Sequence, residues 1–300
     1  MTALDAVTRD APEARPASRK ISWAWLGVMP FLIFTFLFLL YPSSTIVIRS
    51  FQNSKTHTIT FQNILALFQS PYIMQSYAIS IKLSIITAVG GGIFGFLLAY
   101  AAIRGSLPRF MAAGLMTFSG VASNFAGVPL AFAFIALLSP TGLLIGWARA
   151  LGYNPYFHGF TLYTFTGLVI VYMYFQFPLM VLVIAPAIEG MRREWLEASQ
   201  NLGASSFQYW RYVALPILGP ALLGTMVLLF GNAFGAYATA QALTGGQINL
   251  VTIVIGAQLT GDVLGDPGIG YALAFGMIVV MAFAIIGYTI LQRRTERWLK

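Results

Sequence analysis

The sequence predicts an all-α membrane protein with six spanning helices. Three observations carry that prediction: 58% of the 300 residues are hydrophobic, only 9% are charged, and the charges leave long neutral stretches between them. A typical soluble domain carries roughly 25% charged residues. A chain this apolar has too little polar surface to cover itself in water, which excludes a soluble enzyme, a disordered chain and a nucleic-acid binder. There is no cysteine, hence no disulfide framework and no thiolate metal site.

A spanning helix needs about 20 mostly apolar residues, and lipid offers no partner for free backbone groups, so each span is helical. The expected spans are Trp23–Tyr41, Ala78–Ile103, Phe110–Leu138, Phe160–Ile184, Ile217–Ala240 and Tyr271–Leu291. Before the first lies a polar, Ala/Pro-rich stretch, residues 1–20, which reads as a disordered tail; residues 21–300 form the membrane domain. Basic residues precede the first apolar run, as in a secretory signal. The run is too long for a signal core and no A-x-A site follows it, so it reads as a retained helix.

Between Arg211 and Asp262 lie 50 uncharged residues, enough to imagine a seventh crossing at Leu250–Leu259. Charge parity argues against it. With six crossings both termini share one side, and that side collects 13 of the 17 Lys and Arg residues. Short basic loops stay cytoplasmic, so both termini are expected inside and Leu250–Leu259 becomes an outer re-entrant or interfacial segment.

Some chemistry is missing. His57 and His158 fall in predicted outer loops with no other ligand type near them, so no metal site is expected. No Lys follows a Gly, so no Walker A loop exists. Gly90, Gly92 and Gly95 fit G-x-G-x-x-G but sit inside a span with no preceding strand. Gly91 with Gly95, and Gly231 with Gly235, read instead as close-packing pairs.

The long polar insert between spans four and five, residues 189–216, is the most informative segment. Trp195, Ala198 and Leu202 share one face of a short amphipathic helix. Gly203 stops it, Ser205 or Ser206 caps a second short helix bearing Phe207, Trp210 and Val213, and Pro216 opens the next span. Taken alone, this is an amphipathic loop on a lipid surface. The spacing adds more: Glu197-Ala198-Ser199, Gly203, Val213, Leu215 and Pro216 follow E-A-A-x3-G-x9-I-x-L-P, with Ser at the third position and Val for Ile.

This pattern resembles the signature of permease subunits of binding-protein-dependent ABC importers. The resemblance implies the type I importer permease fold and a location in a bacterial inner membrane. It implies that the insert is the coupling helix docking into an ATPase, with Glu197, Ala198, Ser199, Leu202, Gly203, Ala204, Ser205 and Phe207 at the contact. It implies a second permease subunit, more readily a different chain than an identical one, two ATPase subunits and a periplasmic substrate-binding protein. No cofactor belongs to this chain; ATP and Mg would be bound by the ATPase. Phe207 and Trp210 are expected to anchor the second helix under the membrane domain.

The translocation pathway should expose polar groups inside the bundle. Ser123, Asn124, Gln176, Asn232, Tyr237 and Gln241 are the candidates, with Ser119 and Thr239 beside them. For any one of them an interhelical hydrogen bond is an equally good account. Asn124–Leu138 and Gly235–Gly246 look like permeases of the polyamine, thiamine, ferric-iron and aminoethylphosphonate group, which suggests a small polar solute. Asp262 and Asp266 are the acids of the outer loops. The rival reading, a secondary transporter or channel without an ATPase, would need an intramembrane ionisable relay or an inverted repeat, and the sequence offers neither.

Overall fold

The computed structural model describes residues 24–105, 107–260 and 266–296. The tail 1–20, Asp262, Arg297 and Lys300 lie outside them. The described residues are helical apart from turns and one isolated bridge between Gln52 and Ile59. Six segments are long and apolar enough to cross a membrane: Gly27–Ser50, Pro71–Arg104, Gly127–Ala150, Phe165–Glu189, Ser206–Gly235 and Pro267–Arg294.

Residues up to Thr45 and residues from Ile46 onward are two units. In the first, α1 (Ala24–Thr35) passes through a π turn at Phe36–Leu40 into α2 (Tyr41–Ser50), which runs on into the second, ahead of α3 (Gln62–Gln69). The first unit's apolar side chains from Val28 to Tyr41 are exposed on every side of the helix within that unit. The helix outlasts the expected end at Tyr41, because Ser43, Ser44 and Thr45 return their hydroxyls to carbonyls one turn back. Hydroxyls satisfied in this way need no water, so a polar sequence remains helical.

The second unit is built round α4 (Pro71–Arg104) and α8 (Phe165–Glu189), its most extensive helix pair. Close approach is the reason for the α4 glycines. A Cβ on Gly91 would stand 2.6 Å from Gln176 Cβ, and one on Gly95 would stand 2.5 Å from Met180 Cβ and from the Phe177 carbonyl. The G-x-G-x-x-G match is therefore a packing seam. The second expected pair divides: Gly231 faces Met281 of α14 (Pro267–Glu296), whereas nothing lies within 4 Å of a Cβ on Gly235.

The third expected span is not one helix. It is α5 (Arg109–Asn124) and α6 (Gly127–Leu138), parted at Phe125–Ala126, with Gly127 at φ +75°. An L side chain resists that conformation and glycine does not. Met116 of α5 packs in the core that holds Met180, Ile184 and Ile188, the later half of α8. Leu130 and Ala131 of α6 pack in the core that holds Leu168, Val171 and Tyr172, its earlier half. The two pieces thus follow α8 from end to end as one broken crossing. The apolar stretch Gly127–Ala150 instead joins α6 to α7 (Leu143–Ala150) across the non-helical Ser139–Gly142.

The fifth crossing, α11 (Leu215–Gly235), is broken in the same way before α12 (Ala238–Thr244). Leu250–Leu259 forms α13 (Val251–Leu259), packed on α14 and α4. At nine residues it spans only about 14 Å, less than half the hydrocarbon thickness. It is a short inserted element, and the number of spanning segments stays at six.

Candidate functional site: the polar tip and the broken helices

Two regions carry the polar chemistry. The first is the insert. α9 (Arg193–Asn201) follows α8 after a three-residue elbow and ends at Leu202 and Gly203, the latter at φ +75°. Ser205 is the cap of the next helix. Its hydroxyl accepts from the Gln208 amide at 3.3 Å, and its own amide donates to Gln208 Oε1 at 2.7 Å. This reciprocal capping box satisfies two amides that would otherwise be free.

The helix it starts, α10 (Ser206–Tyr209), does not stop. It continues through a π turn, Trp210–Ala214, into α11, with Pro216 in the first turn after the wide turn. The expected separate second helix is thus the root of the fifth crossing. A proline lacks the N–H that would close the turn behind it, and the π turn absorbs that mismatch.

The expected faces also change. Trp195 and Leu196 pack inward on the core, with Ser199 buried beside them and its hydroxyl donating to the Leu196 carbonyl at 2.7 Å. Leu202 points the other way, 87% exposed. Trp195 and Leu202 therefore do not share a face: the seven-residue spacing carries the chain past the end of α9, where the left-handed Gly203 turns it. Trp210 anchors the root of α11, its ring 4.9 Å from that of Tyr100 and 6.2 Å from that of Phe96. Phe207 does not anchor it; this ring is 69% exposed. Three residues earlier on a helix is about 60° round the axis, enough to leave the buried side.

What holds the tip in place is a residue that spacing did not single out. Arg104 ends α4, and its guanidinium donates to the Ile188 carbonyl from Nε at 3.3 Å and from Nη2 at 3.0 Å. Nη2 also donates to the Met191 carbonyl. A cation at a helix C-terminus meets the dipole and the unpaired carbonyls there. The available signal was its position as the last residue of a long apolar run.

The second region is where the two broken crossings meet. The Gly127 amide, at the start of α6, donates to Thr239 Oγ1 on α12 at 2.8 Å. Tyr172 of α8 donates its hydroxyl to the Ala236 carbonyl, freed by the second break, at 2.7 Å. Irregular backbone at membrane depth persists only where such partners are supplied.

The pathway candidates distribute around this junction. Gln176 is fully buried; its amide donates to the Leu229 carbonyl at 2.7 Å and its oxygen accepts from Asn232 Nδ2 at 3.3 Å. Gln176 is thus a clamp between α8 and α11 and lines no open path in this conformation. Asn232 is exposed beyond that bond. Ser123 and Asn124 end α5 and both reach back to the Gly120 carbonyl, Asn124 from the exposed side. Tyr237 is 41% exposed at the second break and lies over Gly256 of α13. Gln241 buries its side-chain oxygen with no partner among the described residues. Asn232, Tyr237 and Asn124 are the candidates left on an accessible surface.

At the far end, Arg49 donates to the Tyr271 hydroxyl at 3.0 Å, and Asp266 accepts from Ser54 Oγ and from the Gly268 amide. Asp266 is a loop-and-helix cap. Lys82 lies 5.3 Å over the Phe165 ring. It stands 22 residues from Arg104, about 33 Å along α4, which is one hydrocarbon thickness away. The two cations therefore mark opposite boundaries of one span.

Residues 91–297 match the family of binding-protein-dependent transport system inner membrane components. The chain belongs to this family. The permease is 26% identical over 230 residues to the probable sulfate transport system permease protein cysT of Nephroselmis olivacea, covering 76% of this chain and 74% of that one. It is 27% identical over 237 residues to the trehalose transport system permease protein SugB of Mycobacterium tuberculosis, with 79% of each chain covered. It is 31% identical to the spermidine/putrescine permease protein PotB of Haemophilus influenzae over 128 residues, 41% of this chain and 44% of that one. Its fold matches a chain in the crystal structure of a bacterial ABC transporter that imports the acidic polysaccharide alginate, with TM-score 0.69 at 20% identity over 90% of this chain and 95% of that chain. The permease is an ABC importer subunit with the type I fold, and an uncoupled secondary transporter or channel has no further support.

Proposed function

We propose that the permease is one half of the membrane pore of an ATP-driven importer in a bacterial inner membrane, coupled through the tip from Glu197 to Phe207. The observation that carries this is the tip itself: Leu202 and Phe207 stand exposed on either side of the left-handed Gly203, while Arg104, Trp195 and Trp210 fix the base. Two large, mostly exposed apolar side chains, set among Glu197, Ala198, Ser205 and Ser206, form a compact knob for a partner's groove.

In this reading the basic end, the tip and both termini are cytoplasmic. Two ATPase subunits bind ATP and Mg and receive the knob. A second permease, more readily a different chain, completes the pore, and a periplasmic binding protein delivers solute at the end carrying Arg49 and Tyr271. ATP binding biases the bundle between inward-open and outward-open arrangements by its different affinity for the two. The relatives are named for sulfate, trehalose and spermidine/putrescine. This range supports a small polar solute and does not favour a polyamine in particular. Asn232, Tyr237 and Asn124, uncharged and exposed near the broken helices, are the groups that would meet it.

The test is ATP-dependent uptake by the reconstituted complex. Glu197→Lys and Gly203→Asp are expected to abolish uptake while the permease still inserts and reaches the membrane in normal amount. Normal uptake by both variants would overturn the coupling role.

A further inference from the structure

Between the tip and the membrane lies a cavity of about 490 Å³ that the transport reading does not use. Its wall carries three guanidiniums, Arg104, Arg192 and Arg193, and one carboxylate, Glu189, with Ile103 and Leu196 among its apolar lining. Arg104 is already fixed by the Ile188 and Met191 carbonyls, whereas Arg192 and Arg193 are exposed at the elbow. Arg104 spends Nε and Nη2 on those carbonyls and keeps Nη1 for an anion, so the planar forks that can grip a phosphate belong to Arg192 and Arg193.

Depth and shape decide what kind of phosphate. The cavity sits where α4 and α8 end, at the level of the packed rings of Tyr100 and Trp210, and such aromatic residues mark the membrane interface. From Gly105 in its lining an exposed stripe runs up α4 through Ala101, Leu98, Leu97 and Phe94 at helical spacing. Eleven residues of helix are about 16 Å, close to one leaflet's half of a hydrocarbon core about 30 Å thick. The stripe meets the lining of the cavity at Gly105.

We propose that this cavity binds the phosphodiester headgroup of an anionic phospholipid, with its acyl chains along the α4 stripe. Basic pockets between spanning helices suit such headgroups. A free phosphate would use the arginines and gain nothing from the stripe. Because Arg192 immediately precedes α9 and Leu196 belongs to it, an occupied cavity braces the elbow on which the tip is carried.

The experiment is native mass spectrometry of the purified full-length permease titrated with phosphatidylglycerol, with phosphatidylcholine as the zwitterionic control and inorganic phosphate as competitor. Wild type is expected to retain phosphatidylglycerol about tenfold better than phosphatidylcholine. Arg192→Gln combined with Arg193→Gln is expected to erase that preference, one tenfold step being about 1.4 kcal/mol. Glu189→Gln, which removes the opposing charge, is expected to raise phosphatidylglycerol retention severalfold. Leu97→Ser with Leu98→Ser is expected to weaken retention of both lipids. Equal retention of the two lipids by wild type, an unchanged preference in the double arginine variant, or displacement of phosphatidylglycerol by millimolar phosphate would each overturn the proposal. No ATPase is present in this measurement, so its failure would leave the coupling role of the tip untouched, and the reverse holds for the uptake test.

Discussion

The Gly127 amide and the Thr239 hydroxyl, 112 positions apart in sequence, meet at 2.8 Å and join the two broken crossings of the bundle. The bond explains how two helices can stop inside a membrane at neighbouring points. Each break frees backbone groups that lipid cannot satisfy, and each is satisfied by a side chain from another helix: Thr239 for Gly127 and Tyr172 for Ala236.

Thr239→Val keeps the shape and removes the acceptor. Leaving this half-buried amide unpaired costs about 1 kcal/mol, the low end of the range for a buried donor. The variant is expected to melt several degrees below wild type in detergent, and Thr239→Ser, which restores the oxygen, is expected to recover most of the loss. Equal melting temperatures for Val and wild type would show that the junction does not depend on this bond.

The Gln176–Asn232 pair separates a clamp from a pathway. Gln176→Leu removes the bonds to Leu229 and Asn232 in a fully buried setting. Its expected cost is about 1–3 kcal/mol of stability with the solute KM unchanged. Asn232→Ala, at the exposed partner, is expected to cost less than about 1 kcal/mol of stability and to change KM. A KM change in the Gln176 variant, with normal melting, would place Gln176 on the path of the solute.

These outcomes also show what sequence could and could not carry. Charges behave as a ruler because burying them in lipid is expensive, so the number of crossings was legible from their spacing together with their division between the two sides. The stop at Gly203 and the cap at Ser205 were legible because both are local, each set by the conformation of one or two residues. The breaks after Asn124 and Gly235 were not: Gly127 and Pro129 stand beside the first, but glycine and proline also occur inside intact spans, and what fixes the interruption is a hydroxyl more than a hundred residues away or on another helix. Leu202 misled because periodicity assigns faces only while one helix continues, and Leu202 lies where α9 has ended; Phe207 misled because three positions along a continuing helix still leave about 60° between two side chains. Gln176 was legible as important but not as buried, since a polar residue in an apolar run looks the same whether it lines a path or joins two helices.

The α4–α8 seam gives a packing prediction. Gly95 lies under the Phe177 carbonyl and Met180, with no space for a Cβ on either side. Gly95→Leu forces the two central helices apart, and overpacking of this kind costs about 1–3 kcal/mol or more. Reduced membrane-inserted yield and a lower melting temperature are expected. Gly235→Ala, where nothing lies within 4 Å, is expected to be neutral by both measures.

The last prediction sets Phe207 against Trp210, three residues apart at the root of α11. Trp210 touches Phe96 and Tyr100, and each aromatic contact contributes about 1 kcal/mol beyond the area it buries. Trp210→Ala is therefore expected to destabilise the isolated permease by about 3–5 kcal/mol, as removal of a packed aromatic side chain does. Phe207→Ala removes a ring that touches little within the chain, so the isolated permease should melt within about a degree of wild type. Its effect belongs to the complex. An exposed aromatic that fills a partner's groove is the type of residue whose truncation costs about 2 kcal/mol or more of binding. Co-purification of the ATPase should fall at least tenfold for Phe207→Ala, and further for Leu202→Asp, while both variants fold. If instead Phe207→Ala lowers the melting temperature of the isolated chain and leaves ATPase binding intact, the ring is a structural anchor and the knob must be sought elsewhere on the tip.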